Sequence, residues 1–224
     1  MKRLISIILM AALLSLCLTG CGDTRENADK STAKTTKKES FAEKKDADTS
    51  NSQYLTGKHH AEIVIAEYGK LELELDADVA PITVTNFVNL VKKGFYNGLT
   101  FHRIMSGFMI QGGDPNGDGT GGSEETIKGE FKSNGVENTM SHKRGVISMA
   151  RTQNDPDSAS SQFFIVQADS DFLDGDYAAF GKVTEGMDIV DEICKNANPT
   201  DDNGTVKADE QPVIDSIQMN IICF

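Results

Sequence analysis

From Glu62 onward the chain breaks into short apolar runs separated by glycine, proline and acidic residues, and this punctuation limits what it can fold into. Glu62-Ile-Val-Ile-Ala-Glu67 and Leu71-Glu-Leu-Glu-Leu75 alternate with a period of two around Tyr-Gly-Lys, the pattern of a hairpin with one face toward a core. Further strand-like runs follow at Leu99–Ile104, Phe108–Gln111, Gly145–Ala150, Gln162–Gln167, Ala178–Val183 and Pro212–Ile222. Only two stretches carry helical periodicity. In one, Pro81 opens a helix, Val84, Phe87, Val88 and Val91 share a face, and Gly94 ends it; the other is Met187–Asn196. Eight strands and two helices without βα alternation predict a mainly β domain, a closed eight-stranded antiparallel barrel capped by the two helices.

The residues before this pattern are not core. Lys2 and Arg3 precede an apolar run from Leu4 to Leu18, too short for a confident membrane span, and Leu18-Thr19-Gly20-Cys21 follows. This resembles the lipobox of bacterial lipoproteins, which makes residues 1–20 a signal peptide and Cys21 a lipid anchor. Residues 21–60 are rich in Lys, Asp, Glu, Ser and Thr and cannot bury enough surface to offset ordering entropy. They are expected to form a disordered tether reaching on the order of 35 Å. The folded part is then 61–224, the size of one domain, lipid-anchored to a cell membrane on its extracytoplasmic side. Without Lys2 and Arg3 the formal charge moves from −12 to −14, which argues against nucleic acid as a partner. An exported compartment permits a disulfide between Cys194 and Cys223; their spacing does not decide it.

Within TFHRIMSGFMIQGGDPNGDGTGG, residues 100–122, several chemistries compete. Asp114, Asn116, Asp118, Gly119 and Glu125 fit a calcium-loop pattern, but the approach FMIQGG is a strand ending in glycines where such a loop needs a helix. A flexible turn with solvated acids is the stronger reading of 114–125. No phosphate-loop lysine, serine elbow or zinc-ligand spacing is present. His59-His60 reads as solvated surface at the tether's end. What remains is one arginine among apolar side chains. Strand alternation places Phe101 and Arg103 on one face and His102 and Ile104 on the other. Phe108 and Met109 flank a strand carrying Gln111, and the run from Ala150 to Phe164 adds a polar loop and two aromatics.

The runs FHRIMSGFMIQGGD, GVISMARTQNDPDSASSQFFI and FLDGDYAAFGKVTEGMDIVDEI resemble the cyclophilin family of peptidyl-prolyl cis-trans isomerases, from about Ala61 to Ile222. The resemblance implies that Arg103 is the catalytic arginine and that Gln111 orients it and bonds the substrate backbone. It implies that Phe108, Met109, Phe164 and Leu173 receive the proline ring, with His102, Ala150, Arg151, Gln162 and Tyr177 lining the groove. It also implies a folding catalyst for exported proteins, needing no cofactor and no metal. The partners expected are proline-containing polypeptides and, through the anchor, a membrane, with the chain itself a monomer. A non-catalytic proline-peptide binding module is the alternative, followed by a calcium-binding surface lipoprotein. Ser106 stands where many relatives have proline, Arg151 where eukaryotic members have asparagine, and Tyr177 at a position that is often histidine. Phe172 stands where cyclosporin-sensitive members have tryptophan, so the loss of an indole N–H implies weak cyclosporin binding.

Overall fold

The computed structural model describes residues 53–220. The expected signal peptide, Cys21, most of the tether, and Cys223 lie outside them. Eight antiparallel strands and two helices appear in the expected order: β1 (Lys58–Ile65), β2 (Gly69–Asp76), α1 (Pro81–Lys92), β3 (Thr100–Met105), β4 (Met109–Asp114), β5 (Val146–Met149), β6 (Phe163–Val166), β7 (Ala179–Glu185), α2 (Met187–Asn196) and β8 (Ile214–Asn220). They form one sheet in the order β3-β4-β6-β5-β7-β2-β1-β8.

The first strand starts earlier than its alternation suggests. Lys58, His59 and His60 pair with Asp76, Leu75 and Glu74, and Lys58 Nζ donates to the Asp76 carboxylate. His59 and His60 therefore belong to the domain rather than to a tether, because the β2 edge offers them ladder partners that composition cannot reveal. Leu55, earlier still, packs against the core, and its N–H donates to Thr85 Oγ1 at 2.8 Å.

The expectation of a closed barrel also needs correction. The edge strands β3 and β8 share no ladder and meet at a single bridge, Thr100 to Val213. Three backbone bonds reinforce it: Ile214 N–H to Leu99 O at 2.7 Å, Gly98 N–H to Ile214 O at 2.7 Å and Phe101 N–H to Pro212 O at 2.9 Å. The rest of the β3 edge is taken by the 203–206 segment, where Gly204 O accepts from Ile104 N–H and Val206 N–H donates to His102 O. An edge strand covered in this way cannot template other chains. Gly204 must be glycine: its φ is +86°, and a Cβ there would lie 2.7 Å from Ile104 O.

The core lies inside the curved sheet. Phe87 of α1 meets Tyr96, Phe163 and Phe180 at ring centroid separations of 5.2, 5.7 and 5.3 Å, and Phe101 meets Phe163 at 6.1 Å. Val190, Ile193 and Cys194 of α2 join the same core. Cys194 is buried and has no disulfide partner among the described residues, and desolvation pushes its thiol pKa up to about 12. The long segment after Gly112 is less loop-like than its composition. Phe131 is buried, and the buried Glu130 carboxylate accepts from Ile82 N–H (3.0 Å), Thr83 N–H (2.8 Å) and Thr83 Oγ1 (2.7 Å). Ala80 at the α1 N-cap has no side-chain acceptor, so a residue 47 positions after Thr83 caps the helix instead.

Candidate active site

Strands β4, β5 and β6 and the first three residues of β7 are buried on both faces, so their alternation sorts side chains into two apolar layers. Ile110, Ile147, Phe163, Ile165 and Phe180 point into the core. Met109, Val146, Phe164, Val166 and Ala179 form a second cluster with Leu173, flanked by Met105, Phe108, Ala150 and Tyr177. The Gln111–Phe164 and Ser148–Phe164 register pairs place Gln111 and Ser148 on this outer layer too. A polar amide therefore lies beside an apolar pocket, on the outside wall of the sheet.

Arg103 reaches that wall through an irregularity. In the β3–β4 ladder Phe101 pairs with Gly112 and Arg103 with Gln111, leaving His102 as an extra residue. This bulge overturns the simple alternation: Phe101 and Ile104 both enter the core, and Arg103 does not share a face with Phe101. Gly112 permits the close approach, since a Cβ there would lie 2.7 Å from Thr100 O.

The half-buried guanidinium is held on three sides. Nε donates to Asn203 O at 2.7 Å, Nη1 to Gln111 Oε1 at 3.1 Å, and Nη2 to Met105 Sδ at 3.1 Å. Three of its five N–H groups are thus used, and two have no partner among the described residues. Burial lowers its pKa from the ordinary value, opposed by Tyr177 and Asp201. Gln111 Nε2 donates onward to Gln162 Oε1 at 2.9 Å, and Gln162 Nε2 to Gly121 O at 2.7 Å and Gly119 O at 3.1 Å. The relay ties Arg103 to the glycine-rich rim.

A groove of about 670 Å³ brings together His102, Arg103, Phe108, Met109, Gln111, Ala150, Arg151, Phe164, Leu173 and Tyr177. Gln162 lines an adjoining hollow of about 260 Å³ that shares Gln111, Ala150 and Arg151 with the groove. Arg151 lies 4.8 Å over the Tyr177 ring and 5.2 Å from that of Phe131, and its Nε donates to Asp176 O. Residues that sequence reasoning missed also line the groove: Gln153, Asn203 and Thr205. Asn203 contributes a backbone carbonyl to Arg103 from 100 residues away, a role that any residue type could fill. No local signal could have found it.

The calcium reading of 114–125 finds no support in this geometry. The Asp114 carboxylate is buried and accepts from the backbone N–H groups of Asn116, Asp118 and Gly119, so it organises the turn. Among the described residues no group of three or more His, Cys, Asp or Glu side chains could hold a metal ion. His102 is 4% exposed, and neither ring nitrogen has a hydrogen-bond partner among the described residues. Burial lowers its pKa; Asp114 and Asp118 pull it back up.

The profile of the cyclophilin type peptidyl-prolyl cis-trans isomerase/CLD family matches residues 60–219. This chain belongs to the cyclophilin family. A Helicobacter pylori peptidyl-prolyl cis-trans isomerase is 48% identical over 127 residues, 56% of this chain and 74% of the relative. Peptidyl-prolyl cis-trans isomerase B of Bacillus subtilis is 44% identical over 138 residues, covering 62% of this chain and 90% of that one. A crystal structure of a Cryptosporidium parvum cyclophilin type isomerase, determined in the presence of the dipeptide Ala-Pro, superposes with a TM-score of 0.64 at 30% identity. It covers 72% of this chain and 99% of its own. The cyclophilin described here is accordingly a peptidyl-prolyl cis-trans isomerase, with a mainly β fold of eight antiparallel strands and two helices. Its Phe172 is 73% exposed on the groove rim, 5.5 Å from the Phe108 ring.

Proposed function

We propose that this cyclophilin accelerates Xaa-Pro rotation by stabilising the twisted amide with Arg103, while Phe108, Met109, Phe164 and Leu173 hold the proline ring. The observation that carries the reading is the guanidinium fixed by Gln111 and Asn203 at the edge of an apolar pocket, with two N–H donors to spare. An Xaa-Pro bond rotates over a barrier of ~18–20 kcal/mol because the nitrogen lone pair is delocalised into the carbonyl. Twisting localises that pair on nitrogen. A donor aimed at the nitrogen then gains a hydrogen bond that barely exists in the planar ground state, which is differential stabilisation of the transition state. Such a donor in a water-poor site is worth roughly 3–4 kcal/mol, hundreds to about a thousandfold in rate. No proton moves and no covalent intermediate forms.

The remaining groove residues supply binding. His102, Ala150, Arg151, Gln162 and Tyr177 border the path a peptide takes past the pocket, and Gln111 both orients Arg103 and offers its amide to the substrate backbone. Proline-containing polypeptides are the substrates. The sequence Leu18-Thr19-Gly20-Cys21 supports processing to a lipoprotein anchored outside the cytoplasmic membrane, where exported proteins fold. Among the described residues no helix is long and apolar enough to cross a membrane.

The test is isomerisation of an Xaa-Pro tetrapeptide by the full chain and its Arg103→Ala variant. A fall in kcat/KM of about a hundredfold or more is expected, and unchanged activity would sink the mechanism. Labelling with a radioactive fatty acid in cells, abolished by Cys21→Ala, tests the anchor separately.

A further inference from the structure

Behind the pocket lies a set of polar side chains that the isomerisation step does not use. His142 is wholly buried, with Nδ1 2.8 Å from Asp174 Oδ1 and Nε2 3.0 Å from Ser148 Oγ. The Asp174 carboxylate also accepts from the His142 backbone N–H at 2.8 Å and from Ser141 Oγ. An ionised carboxylate only accepts, which assigns the proton to Nδ1 and makes Nε2 the acceptor of the Ser148 hydroxyl. Both ring nitrogens are therefore satisfied, and the ring has a single orientation.

The Asp-His-Ser order looks like a hydrolytic relay, yet Ser148 is 0% exposed, so no acyl group can reach its hydroxyl. What the imidazole does touch is the pocket. It stacks on Phe164, with centroids 6.0 Å apart and planes inclined by 15°, and meets Tyr177 edge-on at 6.5 Å and 82°. Phe164 and Tyr177 meet each other at 5.9 Å and 84°. Asp174, which anchors the ring, directly follows Leu173, another wall of the pocket. Three groove residues, Phe164 from β6 and Leu173 and Tyr177 from the connection to β7, thus converge on one imidazole or its anchor.

We infer that His142 is a positioning residue for this isomerase: locked by Asp174 and Ser148, it sets the aromatic wall of the proline pocket and so governs substrate binding. The inference rests on reading that pocket as the proline subsite. Because the wall touches the ring and not the rotating bond, its displacement weakens ground state and transition state alike. The signature is a raised KM at constant kcat, opposite to that of Arg103.

Steady-state kinetics of the full chain on an Xaa-Pro tetrapeptide, with thermal melting of the same samples, makes the test. His142→Phe keeps an aromatic ring but removes both hydrogen bonds, and it should raise KM about tenfold with kcat within about twofold. Asp174→Asn, which keeps the side chain's shape, should shift KM in the same direction by a smaller factor and provides the reading if His142→Phe does not fold. A lowered Tm with unchanged KM, or a fall confined to kcat, would reduce His142 to a buried structural histidine and overturn the inference. Arg103→Ala, assayed alongside, tests the groove assignment on its own: if it retains full activity, that assignment fails independently of the KM values of the His142 and Asp174 variants.

Discussion

Arg103 and Gln111 face each other across the β3–β4 ladder, and Arg103 Nη1 donates to Gln111 Oε1 at 3.1 Å. The same glutamine donates to Gln162, so the guanidinium is oriented by an amide that is itself oriented. Gln111→Ala should lower kcat/KM about ten- to a hundredfold, since a misaimed donor forfeits about 1.4–2.8 kcal/mol at each such step. Gln162→Ala, one link further away, should cost less. Tetrapeptide kinetics on the two variants check the order.

Arg103→Lys tests the geometry rather than the charge. The lysine ammonium is a point charge without the planar fork that engages Gln111 and Asn203 together. A loss of roughly the same size as in Arg103→Ala is expected, read as kcat at saturating peptide.

Glu130 caps α1 from a distant loop, and its loss leaves the Ile82 and Thr83 amides without acceptors. Glu130→Ala should destabilise the domain by about 2–3 kcal/mol, because bonds to a buried charged group are lost and buried donors are left unmade. Glu130→Gln keeps one acceptor and should lose less. Urea unfolding of both variants distinguishes these outcomes.

Stability should fall on acidification before the carboxylates titrate. His102 and His142 both have pKa values lowered by burial from the ordinary 6.5; Asp174 and Asp171 partly oppose this at His142, as Asp114 and Asp118 do at His102. Lys143 beside His142 pairs instead with Asp169 and Asp171. A folded-state value below the unfolded one means that the unfolded chain binds more protons, so stability rises with pH across that interval. It is fully present above about pH 6.5 and declines as pH drops toward the folded values. Carboxylates such as Asp191, held low by Arg144, add a second decline below about pH 4. Melting temperature against pH should show both steps, and His102→Gln should diminish the first.

Phe172 offers an exposed ring with no donor at the groove rim. Phe172→Trp should tighten cyclosporin binding about tenfold, the worth of one hydrogen bond near 1.4 kcal/mol. The chain has no tryptophan of its own, so fluorescence of the introduced indole reports the titration directly.

Much of this was legible in one dimension. The two-residue alternation of Leu71–Leu75, the proline and glycine bounding α1, and the apolar face of Val84, Phe87, Val88 and Val91 each follow from local backbone and side-chain physics. The motif around Arg103 identified the groove residues because their types and order are themselves sequence facts. Other features were decided only by tertiary structure. The bulge at His102 shifts the alternation so that Phe101 and Ile104 both enter the core, and it lies where β3 pairs with β4 and the 203–206 segment at once. Asn203 holds Arg103 through a carbonyl that every residue possesses. Glu130 caps a helix 47 residues before it, and His142 supports a pocket wall from beneath. Sequence determined which surfaces are apolar and which short segments are extended, because those choices are local. Where one arginine finds its acceptors, and how the two edges of the sheet meet, depended on segments far apart in sequence that only the tertiary fold brings together.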